Sequence, residues 1–277
     1  MPLFLALLSS VVWGSSDFLA GRMSRKFAPV AVLGGSQIFG LILAVGFAVT
    51  QGHWDSSDQT AIRWGLCAGL LGLFGLIAFY SALATGLMGI VSPISSVGVI
   101  IPLAIGLVTG DKPTGVQYLG IVIAVSGVIL ASGPELNSKA SSRPVILALI
   151  AAVTFGSCVF CMAQGGKAGN PAMTIATMRI LQVSLLVIFA LVMRSIGGLG
   201  VRNIPMLLVI GVTDASANIL FAFAAADGLL SIVSVLGSLF PVMTVVLAWT
   251  VLKERLMPVQ YIGVICTIAG VGAITAG

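Results

Sequence analysis

Charge is what this chain has least of. Only 8% of its 277 residues are Asp, Glu, Lys or Arg, against about 25% in an ordinary soluble chain. That shortage argues against a globule with a charged shell. Histidine is nearly absent. His53 is the single one and lies in a polar stretch, which argues against a histidine metal site or a Ser-His-Asp triad. Cysteine is scarce too: Cys67, Cys158, Cys161 and Cys266 all lie in apolar runs. Cys158-x-x-Cys161 has redox spacing but no histidine partner, so it reads as packing. No Gly-Lys-Ser/Thr follows a strand pattern, so ATP-driven work within this chain is not expected. The net charge of +5 comes without a basic stripe interleaved with aromatics, so no nucleic-acid partner is expected. No cofactor or metal is implied.

What remains is apolar. The chain is 58% hydrophobic, with a mean hydropathy of +1.17. A membrane-spanning helix needs about 20 mainly apolar residues. Ten such segments can be read, at 2–20, 28–50, 62–85, 87–108, 114–132, 144–164, 171–193, 203–226, 229–251 and 258–276. Gly, Pro and Asn mark several of the breaks between them. Segment 1 has no basic leader and matches segment 6, so it reads as a permanent helix rather than a signal peptide. The expectation is an all-α integral membrane protein in the plasma or inner membrane. Its surroundings would be a lipid bilayer, and it would be a monomer or dimer.

The apolar pattern repeats. Leu5-Ala6-Leu7, Gly14-Ser15 and Pro29 return 142 residues later as Leu147-Ala148-Leu149, Gly156-Ser157 and Pro171. Phe79, Ala82, Gly86 and Val91 return as Phe221, Ala224, Gly228 and Val233. Gln117-Tyr118-x-Gly120 returns one residue later still, as Gln260-Tyr261-x-Gly263. The polar stretch from Pro134 to Arg143 is the inter-repeat linker, which divides the chain into 1–137 and 138–277. Each half holds five segments. Five is odd, so each repeat starts on the side where the other ends, and the repeats are expected to be inverted about an axis in the membrane plane.

Lys and Arg set the orientation. Nine (Arg22, Arg25, Lys26, Lys139, Arg143, Arg194, Arg202, Lys253 and Arg255) fall in loops on one side, and three (Arg63, Lys112 and Lys167) on the other. The positive-inside rule then puts both termini outside.

Several motifs occur in matching order in the two halves. They are Trp13-Gly14-Ser15-Ser16, Ala82-Leu83-Ala84-x-Gly86 and Val91-Ser92-Pro93, then Ala224-Ala225-Ala226-x-Gly228, Leu239-Phe240-Pro241-Val242 and Lys253-Glu254-Arg255-Leu256. Over essentially its whole length the chain resembles the EamA-type transporters of the drug/metabolite transporter superfamily. The resemblance implies a proton-coupled or facilitative carrier of a small metabolite, built as a basket of two bundles. It also implies that segments 1, 3, 4, 6, 8 and 9 line the cavity. Two features depart from the family pattern. Asp111 stands in the first half where the second has Glu254, and the termini point outward by charge count, whereas family members are described with cytoplasmic termini.

Ionisable groups within the hydrocarbon cost about 2.5–3.5 kcal/mol each near the centre, so each one needs a reason. Asp214 lies mid-segment, with Asn218 four residues on and on the same helix face. The pair suits a cation or amine, and Asp214 is the candidate for proton coupling. The competing reading is an ion pair between Asp214 and Arg179. Arg179 is the repeat counterpart of Gln37, and it suits either a substrate carboxylate or a packing bond. Asp17, near the basic end of segment 1, is either a gate or a partner of Arg22, Arg25 and Lys26. Trp13 matches Phe155, an aromatic pair able to stack on an amine or to serve as packing. Tyr80, Ser95 and Ser238 complete the candidate substrate-binding set. Pro93, Pro102 and Pro241 are candidate hinges, because proline frees a backbone carbonyl.

The functional expectation is a secondary active or facilitative transporter of an amino acid, amine or similar metabolite, possessing no enzyme activity and working by alternating access. The alternative is an integral-membrane enzyme or channel acting on a small polar molecule. An enzyme would need a polar cluster at one membrane face, and a channel would need rings from a symmetric assembly.

Overall fold

The structure, a computed structural model, describes residues 1–86, 88–131, 142–194, 197–252 and 258–277. The middle of the linker, the 137/138 boundary and the motif at Lys253–Leu256 lie outside the described residues, as does the side chain of Pro93.

The described residues form twelve α-helices and no strand. The first half holds α1 (Pro2–Ser24), α2 (Pro29–Thr50), α3 (Gln59–Thr85), α4 (Met88–Ser96), α5 (Ile100–Val108) and α6 (Gly115–Ala131). The second holds α7 (Ser142–Ala168), α8 (Pro171–Met193), α9 (Ile204–Asp227), α10 (Leu230–Gly237), α11 (Phe240–Leu252) and α12 (Pro258–Ala276). Seven stretches are long and apolar enough to cross a membrane: α1, α2, α3, α7, α8, α9 with its leading turn, and α10–α11 together. Three shorter apolar helices accompany them, at Ile94–Val108, Gly115–Gly127 and Tyr261–Ala276.

Two of the segments read as continuous are broken. Segment 4 passes through a 3-10 turn at Val97–Val99 between α4 and α5. Segment 9 breaks at Ser238-Leu239 between α10 and α11. Pro241 is the second residue of α11, where the missing N–H costs nothing and the fixed φ favours a helix start. Pro102 is the third residue of α5 and is buried. Both prolines therefore stand just after a break rather than within a bent helix. α2 and α8 open on Pro29 and Pro171, the same device at repeat-equivalent positions.

The packing follows the repeat closely. The principal partners are helices of opposite halves: α1 on α9, α3 on α7, α2 on α8 and α6 on α12. Small residues allow the backbones to meet. A Cβ on Gly14 would collide with the Phe240 carbonyl, and one on Gly156 with the Gly98 carbonyl. These two contacts exchange under the 142-residue shift. Gly86 and Gly228 end α3 and α9 in the same extended conformation, at φ −109° and −103°. Pro144 packs on the first of these glycines and Pro2 on the second, again as exchanged partners. Along α6 and α12, Gly120 meets Gly270 and Ile274 while Gly127 meets Gly263 and Thr267. One number rises as the other falls, so these equivalent helices run antiparallel.

Polar caps tie the halves together at the end that carries both termini. Asp58 caps α3 by accepting from the Ala61 N–H at 2.9 Å, and its other oxygen accepts from the Asn170 N–H at 2.9 Å. Asn170 in turn caps α8 by accepting from the Met173 N–H at 3.1 Å. Asp111, read from the sequence only as the counterpart of Glu254, accepts from the Ser231 N–H at 2.8 Å and so caps α10 across the interface.

Gly98→Ala places a methyl against the Ala152 carbonyl. It is expected to destabilise the chain by about 1–3 kcal/mol, seen as a lower thermal midpoint in detergent, whereas Gly46→Ala, in open space, leaves that midpoint unchanged.

Candidate functional site: a cavity between the two halves

A cavity of about 90 Å³ lies between the halves. Its charged and amide wall comes from Asp17 on α1, Arg179 and Gln182 on α8, and Asp214 and Asn218 on α9. Its aromatic wall comes from Trp13 on α1, Phe155 on α7 and Phe240 on α11. Gly72 and Leu76 of α3, with Cys158, Met162 and Met178, fill the rest. At Gly72 a side chain would press on the Gln182 amide and the Cys158 sulfur, so the glycine leaves the space that those groups occupy.

Arg179 organises the polar wall. It is 1% exposed, and an isolated guanidinium at that depth would be prohibitive. It forms the only ion pair among the described residues, with Nη2 2.8 Å from Asp214 Oδ2. That approach is a charge contact rather than a well-aligned hydrogen bond. Arg179 Nη1 donates to Gln37 Oε1 and, at 3.1 Å, to Gln182 Oε1. The Gln37 amide donates to Asp214 Oδ2 at 3.0 Å, which closes a ring of three residues. Asn218 adds donors to the Asp214 carbonyl at 2.6 Å and to Oδ1 at 3.3 Å. Gln37 and Arg179 occupy the same position in the two repeats and touch each other. Equivalent residues meet in this way only beside a local two-fold axis, so the ring sits on that axis.

This arrangement sorts the sequence-level candidates. Of the two readings of Asp214 and Arg179, the structure shows the ion pair. Asp214, the candidate proton carrier, is held at Oδ2 by Arg179 and the Gln37 amide and at Oδ1 by the Asn218 amide. Arg179, the candidate for a substrate carboxylate, is already matched with one. Gln37 is fully buried and acts on the cavity only through Arg179 and Asp214. Tyr80 is buried against Phe79 and does not line the cavity. Asp17 does line it. Among the described residues it makes no ion pair with Arg22, Arg25 or Lys26.

Two aromatic pairs are symmetric where the polar wall is not, although Phe240 has Gly98 as its equivalent. Trp13 packs on Phe221 with ring centroids 5.5 Å apart, and their equivalents Phe155 and Phe79 also stand 5.5 Å apart. Beyond the aromatics lies a second cavity of about 40 Å³, lined by Ser95, Ser96, Pro102, Ser234 and Ser238. Trp13, Phe155 and Phe240 border both spaces. Ser95 and Ser238 spend their hydroxyls on the carbonyls of Val91 and Val235 in their own helices. The helix breaks thus wall the second cavity.

Sequence reasoning missed Gln182 and underrated Phe240. Gln182 follows Arg179 by three residues and so shares its helix face, a signal that was available. Phe240 carried no polar mark. The resemblance implied segments 1, 3, 4, 6, 8 and 9 around the cavity. Segment 7, as α8, joins the central space, and segment 4 reaches only the second one.

Comparison with known proteins gives the same arrangement a family. The model of the EamA-like transporter family matches the chain twice, over residues 1–133 and 142–276. The chain belongs to the EamA-like transporter family. It is therefore a multi-pass membrane protein of transporter type, with a small molecule as its cargo. An uncharacterized protein of Methanocaldococcus jannaschii is 29% identical over 134 residues, which is 47% of this chain and 95% of that protein. That relative has about the length of one half. A solved crystal structure shares the fold, with a TM-score of 0.74 and 14% identity, over 99% of this chain and 96% of the other.

Removing one member of the central ion pair should cost about 3–5 kcal/mol, because the other is left charged and uncompensated. Asp214→Ala is thus expected to lower the thermal midpoint sharply. The double variant Arg179→Met with Asp214→Leu should recover much of that loss.

Proposed function

We propose that this EamA-family chain carries a small metabolite (an amino acid, amine or similar) across the cell membrane by alternating access. The proposed scaffold is ten membrane spans in two inverted five-helix repeats, 1–137 and 138–277. The observation that carries the reading is the cavity itself, at the local two-fold axis and walled by helices of both halves. Antiparallel packing of the equivalent helices α6 and α12 supports inversion, because an axis relating them must run across the helices and hence in the membrane plane. Segments 4 and 9 count as spans broken at their midpoints, and broken helices beside a central cavity are the usual setting for a transported solute.

Rocking of one half against the other would expose the cavity to each side in turn. At the end bearing the termini this requires the Asp58–Asn170 and Asp111–Ser231 contacts to part. The driving force is a proton or the gradient of the cargo. The excess of Lys and Arg beside loops opposite the termini supports an orientation with both termini outside.

Reconstitution tests the reading. Proteoliposomes are expected to show counterflow of a labelled amino acid or amine, and the absence of uptake or counterflow for every metabolite offered overturns it. A cysteine placed at position 198, in the loop after α8, is expected to be labelled by an impermeant maleimide only from the cytoplasmic side, in a background where Cys67, Cys158, Cys161 and Cys266 are serine.

A further inference from the structure

Charge in the cavity does not balance. Two carboxylates, Asp17 and Asp214, line a space with one guanidinium, and that guanidinium is paired with Asp214. Arg179 holds Asp214, Gln37 and Gln182. Asp17 is left over: it is 7% exposed, lines the cavity, and makes no hydrogen bond or ion pair among the described residues. Asp214 lines the same cavity. A buried carboxylate without donors is costly, and nothing on its own helix relieves it. Four residues earlier on the same face of α1 stands Trp13, whose indole borders the same space, with Phe155 and Phe240 completing the wall.

We propose that Asp17 is the recognition group for an organic cation, a small molecule with a protonated or quaternary amine. The ammonium would sit between the Asp17 carboxylate and the face of Trp13. Each partner contributes something different. The carboxylate balances the guest's charge, and aromatic faces attract a desolvated cation through their quadrupole. The rest of the cavity suits the hydrocarbon part of such a guest, since Leu76, Met162 and Met178 are apolar. About 90 Å³ is room for a few water molecules or a guest of comparable bulk. The site has no free cation for a substrate carboxylate, because Arg179 is paired. Within the range of amino acids, amines and similar metabolites, this selects amines. Asp17 also lies where the repeats differ, since its equivalent is Val159, so it belongs to the part of the fold that symmetry did not require.

The proposal rests on the carrier reading for its claim that the bound amine is cargo, and the experiment separates the two. Purified protein is heated with methylammonium or tetramethylammonium, and with acetate and glycerol for comparison. The cations are expected to raise the thermal midpoint, and acetate and glycerol are not. Asp17→Asn should keep the unliganded midpoint, since no contact is lost, but weaken cation binding by roughly tenfold or more. Equal stabilisation of the variant by cations, or none of the wild type, overturns the proposal. Should Asp17→Asn fail to fold, carbodiimide labelling of Asp17 in the wild-type protein, read by mass spectrometry, decides instead. Tetramethylammonium slows that labelling if it occupies the site, and unchanged labelling overturns the proposal. Counterflow of a neutral or anionic solute with no effect of amines overturns the amine assignment and leaves the carrier reading standing. Amine binding that depends on Asp17, with no flux of any solute, overturns the carrier reading alone.

Discussion

A single buried guanidinium sets the terms for the centre of this protein. Arg179 is almost wholly buried, and its charge is met from within the chain. Meeting it recruits Gln37 from the first half, Gln182 from its own helix, and Asp214, with Asn218 behind it, from the next. The result is a neutral joint on the local axis where α2, α8 and α9 converge. The pair adds little net stability once desolvation is counted, but losing either partner is severe. It defines a register between the halves, because only one placement of α2 against α8 lets Gln37 bridge both charges.

Around that joint the fold solves a packing problem set by lipid. Between helices in a bilayer there is no hydrophobic drive, so association rests on close contact. Glycines at Gly14, Gly98, Gly156 and along α6 and α12 supply it, and the contacts recur in exchanged pairs. The same symmetry places Trp13 with Phe221 and Phe155 with Phe79. The scaffold and the aromatic partition are therefore two-fold. Its polar contents are not, since the equivalent of Asp214 is Gly72 and that of Asp17 is Val159. A symmetric frame holding an asymmetric site lets one solute be recognised while both halves keep similar mechanics.

Much of this was legible in residue order. The repeat, the helical class and the family follow from motifs at a 142-residue spacing, because packing surfaces repeat when their sequences do. The scarcity of ionisable groups in the apolar stretches pointed to Asp17, Arg179 and Asp214, and all three line the cavity. The breaks in segments 4 and 9 were foreshadowed by Pro102 and Pro241, although their exact places, at Val97–Val99 and Ser238-Leu239, were not. Tyr80 and Gln37 were also in the candidate set, yet neither lines the cavity, because polarity in a helix does not say which neighbour it faces. Asp111 was read as a motif variant and proved to be a cap on the other half.

Taken alone, the sequence determined that the chain spans a membrane, that it does so in two related halves, and which few ionisable residues lie within the apolar stretches. Those properties depend on hydrophobicity and spacing, which are local or periodic. The tertiary structure decided which of those residues are already matched. Asp17 and Asp214 are both carboxylates within apolar stretches. Only the approach of α2 and α8 to α9 gives Asp214 its partners, and among the described residues no cation pairs with Asp17. Pairing between charges depends on ångström-scale distances between helices remote in sequence, and no one-dimensional pattern carries them.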